Sequence, residues 1–470
     1  MAERFKLIVL DDDPTGSQTV HSCPLLLRWD GASLRRGLAH LSPLLFVLAN
    51  TRALDPEAAR GRVREICRAL KPALAWAEAA GHLDRWMVVS RGDSTLRGHF
   101  PLEVEVLHGE LGPFDATLLA PAFLPGGRTT VAGVHLLDGL PVHTTPFARD
   151  RLFGFSTSDL PTWVEHKSRG RISASAVQRF SLAELDAAAA DLDGDGLRGL
   201  CERLAGFSGN PVVVVDSQRP EQLEALGAAV RALSEPEAAG RWGYPRRFLF
   251  QSAASLLNGL VSLPPQPLDA AGLAALRRRS VAGDGAHEGC RPLPGLVLVG
   301  SHVPLADAQL AELLQEPGCA GLELPVAKVA RVLEGPEPAA LLASLEAAWL
   351  EQLRSRLAEG RTPVLFTSRG EISCRSAAER IRLGLELAAL MARLAAALEP
   401  QLGYVISKGG ITSHTLLADG LGLASVELQG QLFAGLSLVL TPTGLPVVTF
   451  PGNLGEAGSL RQAWRLLEQG

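Results

Sequence analysis

Short apolar runs recur along the chain, and most of them end in a cluster of carboxylate, hydroxyl or glycine residues. Leu7–Leu10, Leu44–Ala49, Trp86–Ser90, Ala116–Ala120, Val212–Val215 and Phe248–Phe250 come first. After a break follow Leu296–Val299, Leu322–Val326, Val364–Thr367 and Tyr404–Ser407. Runs this short, bounded by turn residues, read as strands buried on both faces. Helical patterns fill the intervals. Asp55-Pro56 opens a long helix that extends to about Ala80, with Pro72 expected to break or kink it. Others are expected at 101–111, 337–357 and 376–398. Strands alternating with helices predict an α/β fold with two Rossmann-like domains and mainly parallel sheets.

The division between domains is expected where composition shifts. Residues 263–294 carry a Pro-rich start, three consecutive arginines and a Gly-rich end, which reads as a linker. The expectation is an N-terminal domain over 1–262, a C-terminal domain over 295–470, and an interdomain cleft. The irregular stretch from Pro121 to Asp150 is too apolar for disorder and reads as an ordered flap or hairpin. The last segment, with LSLVLT and LPVVTF, is more β-like.

Charge and cysteine usage exclude several classes. The net charge of -5 offers no footprint for nucleic acid or an anionic membrane. No apolar run reaches membrane-spanning length, and the N-terminus lacks a signal-peptide pattern. Six scattered cysteines form no Cys-x-x-Cys pair, and none of eleven histidines has zinc spacing. A reducing cytoplasm is the expected home.

In open α/β sheets, ligands bind at the carboxyl ends of strands, so the residues that follow the runs carry the chemistry. Asp11, Asp12 and Asp13 follow the first strand and precede Pro14-Thr15-Gly16. Three adjacent carboxylates are costly to bury unless a cation, metal or substrate hydroxyl meets them. Arg91 to His99, RGDSTLRGH, follows another strand. Arg91 and Arg97 offer planar donor forks for a carboxylate or phosphate. Asp93 can accept a hydroxyl proton, and Ser94 and Thr95 add hydroxyls. In the second half, Lys408 to His414, KGGITSH, links a strand to a helix and exposes backbone N–H groups of the kind that hold phosphate. Gly300-Ser301 and Pro451–Gly455 have similar character, which together suggests a nucleotide pocket. His99 and His414 lie within these motifs, whereas His21, His135 and His143 are expected to be structural.

Taken together, these motifs resemble the four-carbon acid sugar kinase family. Its members show Asp-Asp-Leu-Thr-Gly, Asp-Ser-Thr-Leu-Arg-Gly, Pro-Ala-Phe with Gly-Arg-Thr, a late Gly-Gly-x-Thr and a terminal Ser-Gly-Asn-Phe-Gly. The counterparts here are Asp12–Gly16, Asp93–Gly98, Pro121-Ala122-Phe123 with Gly127-Arg128-Thr129, Gly409–Thr412 and Pro451–Gly455. The resemblance implies ATP-dependent phosphorylation of the terminal hydroxyl of threonate, erythronate or a 2-oxo relative, with ATP and Mg²⁺ as cofactors. It implies substrate binding by Asp12, Asp13, Thr15, Arg91, Asp93, Ser94, Arg97 and Arg128, with the catalytic group among Asp93, Asp13 and Asp12. It implies nucleotide binding by Ser301, Gly409, Gly410, Ile411, Thr412, Gly452 and Asn453. No metal ligand is assigned. The expected partners are the sugar acid and ATP, with a homo-oligomer left open and neither nucleic acid nor membrane involved.

The chain departs from the family pattern at Pro14, at Gln251 where glycine is usual, at Val303 and Ala306 after the first C-terminal glycine motif, and at Phe450 where lysine is frequent. Two rival readings stand beside the kinase. Asp11-x-Asp13-x-Thr15 also fits a Mg-dependent, haloacid-dehalogenase-like phosphatase, with Asp11 as nucleophile and Asp13 as acid/base. A non-catalytic sugar-acid sensor is the other.

Overall fold

The computed structural model describes residues 4–17, 19–280, 291–369 and 377–470. The chain divides into two compact units, Met1–Pro265 and Gln266–Gly470.

In the first unit the strands in chain order are β1 (Phe5–Asp11), β2 (Cys23–Leu26), β3 (Leu44–Leu48), β4 (Arg85–Arg91), β5 (Ala116–Ala120), β6 (Arg128–Val131), β7 (Val134–Leu137), β8 (Leu140–Pro141), β9 (Gln178–Phe180), β10 (Val212–Val215) and β11 (Phe248–Ser252). Eight of them form one sheet in the order β2-β3-β1-β4-β11-β5-β10-β9, and every pairing within it is parallel. β1, β3, β5, β10 and β11 are wholly buried along their length except for the first residue of β1. That burial explains why these runs lack hydrophobic alternation. β6, β7 and β8 form a separate antiparallel sheet, which is the ordered hairpin expected between Pro121 and Asp150.

The long helix runs unbroken from Pro56 to Ala79 through Pro72. Asp55 caps it by accepting from Glu57 N and Ala58 N at 2.9 Å. Pro72 is exposed, while Ala73, Leu74 and Ala77 beyond it are buried. Packing of that last apolar turn offsets the lost hydrogen bond, so the expected break does not occur.

The second unit contains β12 (Gly295–Val299), β13 (Cys319–Leu324), β14 (Thr362–Thr367), β15 (Tyr404–Lys408), β16 (Ser425–Phe433), β17 (Leu436–Leu440) and β18 (Pro446–Phe450). Their order is β13-β14-β12-β15-β18-β17-β16. The first five are parallel; β17 and β16 extend the sheet antiparallel, which accounts for the β-like end of the sequence. The stretch 263–294 is not a free linker over its described length. Residues 270–274 form a short helix, and the buried Arg277 donates to Leu467 O at 3.1 Å and Leu293 O at 2.8 Å. Residues 281–290 lie outside the described residues. Cys67, Cys201 and Cys319 are buried free thiols, and Cys23 is buried as well. Among the described residues no helix is long and apolar enough to cross a membrane.

Candidate active site

Each sheet has one place where successive strands are laid down in opposite directions, which leaves a crevice at the strands' carboxyl ends. In the first unit β1 is followed by β3 on one side and β4 on the other, with Asp11 opposite Arg91. The Asp11–Asp13 turn and the Arg91–His99 loop therefore emerge side by side, and Asp12 N donates to Arg91 O at 3.1 Å. The turn after β3 joins them, because Ala49 N and Asn50 N both donate to Asp11 O. This turn delivers a residue absent from the sequence-based set: Arg52.

Arg52 organises the carboxylates. Its Nε and Nη2 reach both oxygens of Asp12 at 3.0 and 2.5 Å, and Nη1 reaches Asp13 at 3.2 Å. Asp93 accepts from Thr95 Oγ1 and from Arg97 Nε at 2.8 Å. Arg97 also lies over the Phe147 ring, 5.0 Å from its centroid. Among the described residues Arg97 bonds through Nε alone, to Asp93 and to Thr95 Oγ1, and it lines a pocket. Asp12, Asp93, Gly98, His99, Glu103, Gln251 and Ser252, among others, line the same small pocket.

The four acidic groups divide by environment. Burial opposes ionisation of Asp93, but the Arg52 and Arg97 guanidiniums outweigh it and hold its carboxyl well below the usual range. Burial likewise opposes ionisation of Asp13, and Arg52 with the Thr15 hydroxyl and N–H more than compensates. Burial dominates at Asp12 and pushes it up to about 6 despite Arg52. Asp11 is pushed by burial up to about 7, with Arg91 opposing and Asp12 and Asp13 adding to the rise. Asp11 is 1% exposed, and a Cβ on Gly16 would overlap its carboxylate. Asp11 does not line the pocket, whereas Asp12, 2% exposed, does.

Two histidines fix the loop. His135 on β7 donates from Nε2 to Ser94 O at 2.8 Å, and its Nδ1 meets Thr130 Oγ1 at 3.0 Å. Burial lowers it to about 4, so it is neutral. The hairpin thus anchors the Asp93–Gly98 loop. His99 Nε2 lies 3.0 Å from Thr51 O and Leu54 O, tying the same loop to the Arg52 turn.

Of the residues expected to bind substrate, Asp12, Asp93 and Arg97 meet at the pocket. Asp13 and Thr15 stand next to them through Arg52. Arg91 is 4% exposed and lies 3.7 Å from Asp11 and 3.9 Å from Asp12, a counter-charge beneath the site. Ser94 contributes its carbonyl to His135. Arg128 does not line the pocket; it donates to Gly126 O and packs over Phe123. Arg52 stands in the short turn Thr51–Ala53 that follows β3, whereas Arg91 ends β4 itself, and no local sequence signal marks Arg52.

Removing Arg52 leaves Asp12 and Asp13 as buried charges without their main partner. Arg52→Ala is expected to cost about 3–5 kcal/mol of stability near pH 8. Without Arg52 both carboxyls titrate higher in the folded than in the unfolded chain, so the cost shrinks as pH falls and they protonate. Thermal melts of both proteins at pH 8 and pH 5.5 check this; an equal loss at both pH values contradicts it.

The second unit has its own crevice, between β12 and β15, where Val299 lies opposite Lys408. Gly300-Ser301 and Gly409–Thr412 emerge there, and Gly409 N donates to Phe450 O at 2.9 Å, which brings Pro451-Gly452 alongside. Gly409 has φ +122°, a conformation reserved for glycine. A Cβ on Gly300 would overlap Thr412 Oγ1, and one on Gly452 would lie 2.5 Å from Ser301 Oγ. Three glycines thus surround two hydroxyls in a cradle that side chains would fill. Arg369, also missed from sequence, donates to Ser301 O at 2.5 Å and to Val299 O at 3.1 Å and pins the first of these turns. Ile411 is 46% exposed and Asn453 is exposed. Lys408 is buried, donates to Pro451 O at 2.7 Å and lies 3.8 Å from the Phe450 ring centroid. Burial lowers its ammonium to about 7. Among the described residues no three His, Cys, Asp or Glu side chains are grouped to hold a metal ion.

Two family models match the chain: a sugar-binding N-terminal domain over residues 7–260 and a nucleotide-binding C-terminal domain over 296–460. A D-threonate kinase of Cupriavidus necator is 29% identical over 403 residues, 84% of this chain and 83% of that protein. A D-threonate kinase of Bordetella bronchiseptica is 27% identical over 88% of each chain. The match to a D-erythronate kinase of Heliobacterium modesticaldum, 28% identical, spans 41% of this chain and 39% of that protein. In fold the chain is similar to a Haemophilus influenzae protein of the DUF1537 family, with TM-score 0.58, 15% identity and coverage of 98% and 99%. Both strand-end sites, and the two family models that span them in order, lead to one conclusion: the chain belongs to the four-carbon acid sugar kinase family.

Proposed function

We propose that the chain transfers the γ-phosphoryl group of ATP to the terminal hydroxyl of a four-carbon sugar acid of the threonate, erythronate or 2-oxo-tetronate type. The observation that carries this reading is the pocket in the first unit, where an arginine that bonds through Nε alone among the described residues stands beside carboxylates of different basicity. A hydroxylated anion needs such a site. Arg97 grips the substrate carboxylate through its planar fork. Asp93, held ionised, accepts from substrate hydroxyls, and Asp13 does the same from the neighbouring turn. Asp12, with a pKa of about 6, is ionised at neutral pH yet basic enough to take the proton of the attacking hydroxyl. Arg52 aims Asp12, and His99 and His135 keep the loop in place.

Gly300, Gly409 and Gly452 let the Ser301 and Thr412 hydroxyls come close to the backbone of these turns, a gathering of hydroxyl and N–H donors that suits a triphosphate. ATP with Mg²⁺ supplies the phosphoryl group and neutralises charge on the phosphate oxygens when bound. Gly409→Ala places a side chain in a strained conformation beside Ser301 N. It is expected to weaken ATP binding at least tenfold and leave sugar-acid binding intact, as calorimetry with each ligand would register.

The reading is tested by an ATP-consumption screen of the full chain against threonate, erythronate, their 2-oxo forms, and three- and five-carbon acids. Turnover confined to four-carbon acids supports it; ATP untouched by all of them contradicts it. With ATP saturating, kcat/KM for the acid is expected to fall as pH drops through about 6, because Asp12 must be unprotonated to act. A profile flat down to pH 5 removes Asp12 from that role.

A further inference from the structure

Gln251 and Ser252, at the end of β11, play no part in the mechanism above. Both line the same pocket as Asp93 and Arg97. Gln251 is 9% exposed and Ser252 is 2% exposed, yet Gln251 Oε1 and Ser252 Oγ have no hydrogen-bond partner among the described residues. Buried polar atoms are nearly always paired, and an unpaired one in a pocket marks where a ligand completes it. The local structure makes room for this arrangement. Gly92 N donates to Ser252 O at 2.8 Å, which locks the ends of β4 and β11 together. A Cβ on Gly92 would lie 2.7 Å from Gln251 Nε2, so a side chain there would displace the amide from its present position.

We propose that Gln251 and Ser252 determine specificity by binding a secondary hydroxyl of the substrate, the amide oxygen accepting from it and the Ser252 hydroxyl completing the pair. The proposal rests on the reading that this pocket holds a hydroxy acid, and it names the residues that read a hydroxyl between the carboxylate and the reacting terminal one. A bare methylene at that position would leave both polar atoms buried and unpaired, and sites of this kind discriminate strongly against such analogues.

The test is calorimetric titration of the full chain, wild type and Gln251→Leu, with D-threonate, D-erythronate and their 2-deoxy and 3-deoxy counterparts. The wild type is expected to bind the preferred acid roughly tenfold to a hundredfold tighter than one of its deoxy forms. Gln251→Leu should erase that gap by weakening only the fully hydroxylated acid, with the deoxy acid held within about twofold. Ser252→Ala, which removes a single atom and spares the fold, should narrow the same gap. Equal weakening of every acid, or none, in both variants overturns the proposal. Wild type that binds none of the acids overturns the underlying reading instead, and the proposal with it.

Discussion

Asp12→Asn lowers kcat for sugar-acid phosphorylation by about 10²- to 10⁴-fold, the range a general base contributes. The amide keeps the shape and accepts one of the two Arg52 bonds, while its NH2 group faces the other guanidinium N–H and takes no proton. Asp12 is singled out from its neighbours by environment. Asp93 and Asp13 are held ionised by guanidinium groups, which makes them weak bases. Asp11 is covered by Gly16 and 1% exposed. Asp12 combines a place on the pocket wall with a carboxyl raised to about 6, whereas Glu103, on the same wall and also raised by burial, is engaged by the Thr51 and Ser90 hydroxyls. Steady-state kinetics at saturating ATP separate the effects: kcat falls while KM for the acid changes little. A variant that keeps more than a tenth of wild-type kcat assigns proton transfer elsewhere.

Arg97→Ala raises the KM and Kd for the sugar acid by about 30- to 1,000-fold, the cost of leaving a bound carboxylate without its charged partner. ATP affinity stays unchanged, because Arg97 belongs to the first unit and the glycine cradle to the second. Arg97→Lys recovers part of the loss, since it restores charge but not the two-pronged geometry. Asp93 retains Thr95 and the field of Arg52 in both variants, so the loop is expected to stay folded, with the melting temperature as the control. Sugar-acid binding unaltered in Arg97→Ala removes this residue from the site.

Much of this site was legible in the residues that follow each apolar run, because a buried parallel strand leaves little choice about where its carboxyl end points. The Asp11–Asp13 turn, the Asp93–Gly98 loop and the Gly409–Thr412 turn all lie where the runs place them. Arg52 escaped because nothing local separates it from a surface arginine; its role appears only when β3 is laid beside β1. Gln251 was visible as a departure from the family pattern, but its unpaired amide is a property of the folded pocket. Arg128 sits in a motif, donates to Gly126 O and stands in the field of Asp93 and Arg97. Pro72 was weighed as a helix breaker on intrinsic preference, and tertiary burial of the following turn prevailed. The arginines at 277–279 resembled linker composition because long-range partners such as Leu467 O do not show in a sequence window.

Phosphorus NMR of the full chain with Mg-ATP and each four-carbon acid tests the central claim most directly. A new phosphomonoester resonance, formed in step with ADP and coupled to the terminal methylene of the acid, is the predicted result. Intact ATP with every acid, or free phosphate released from an added phosphorylated acid without ATP, would contradict it.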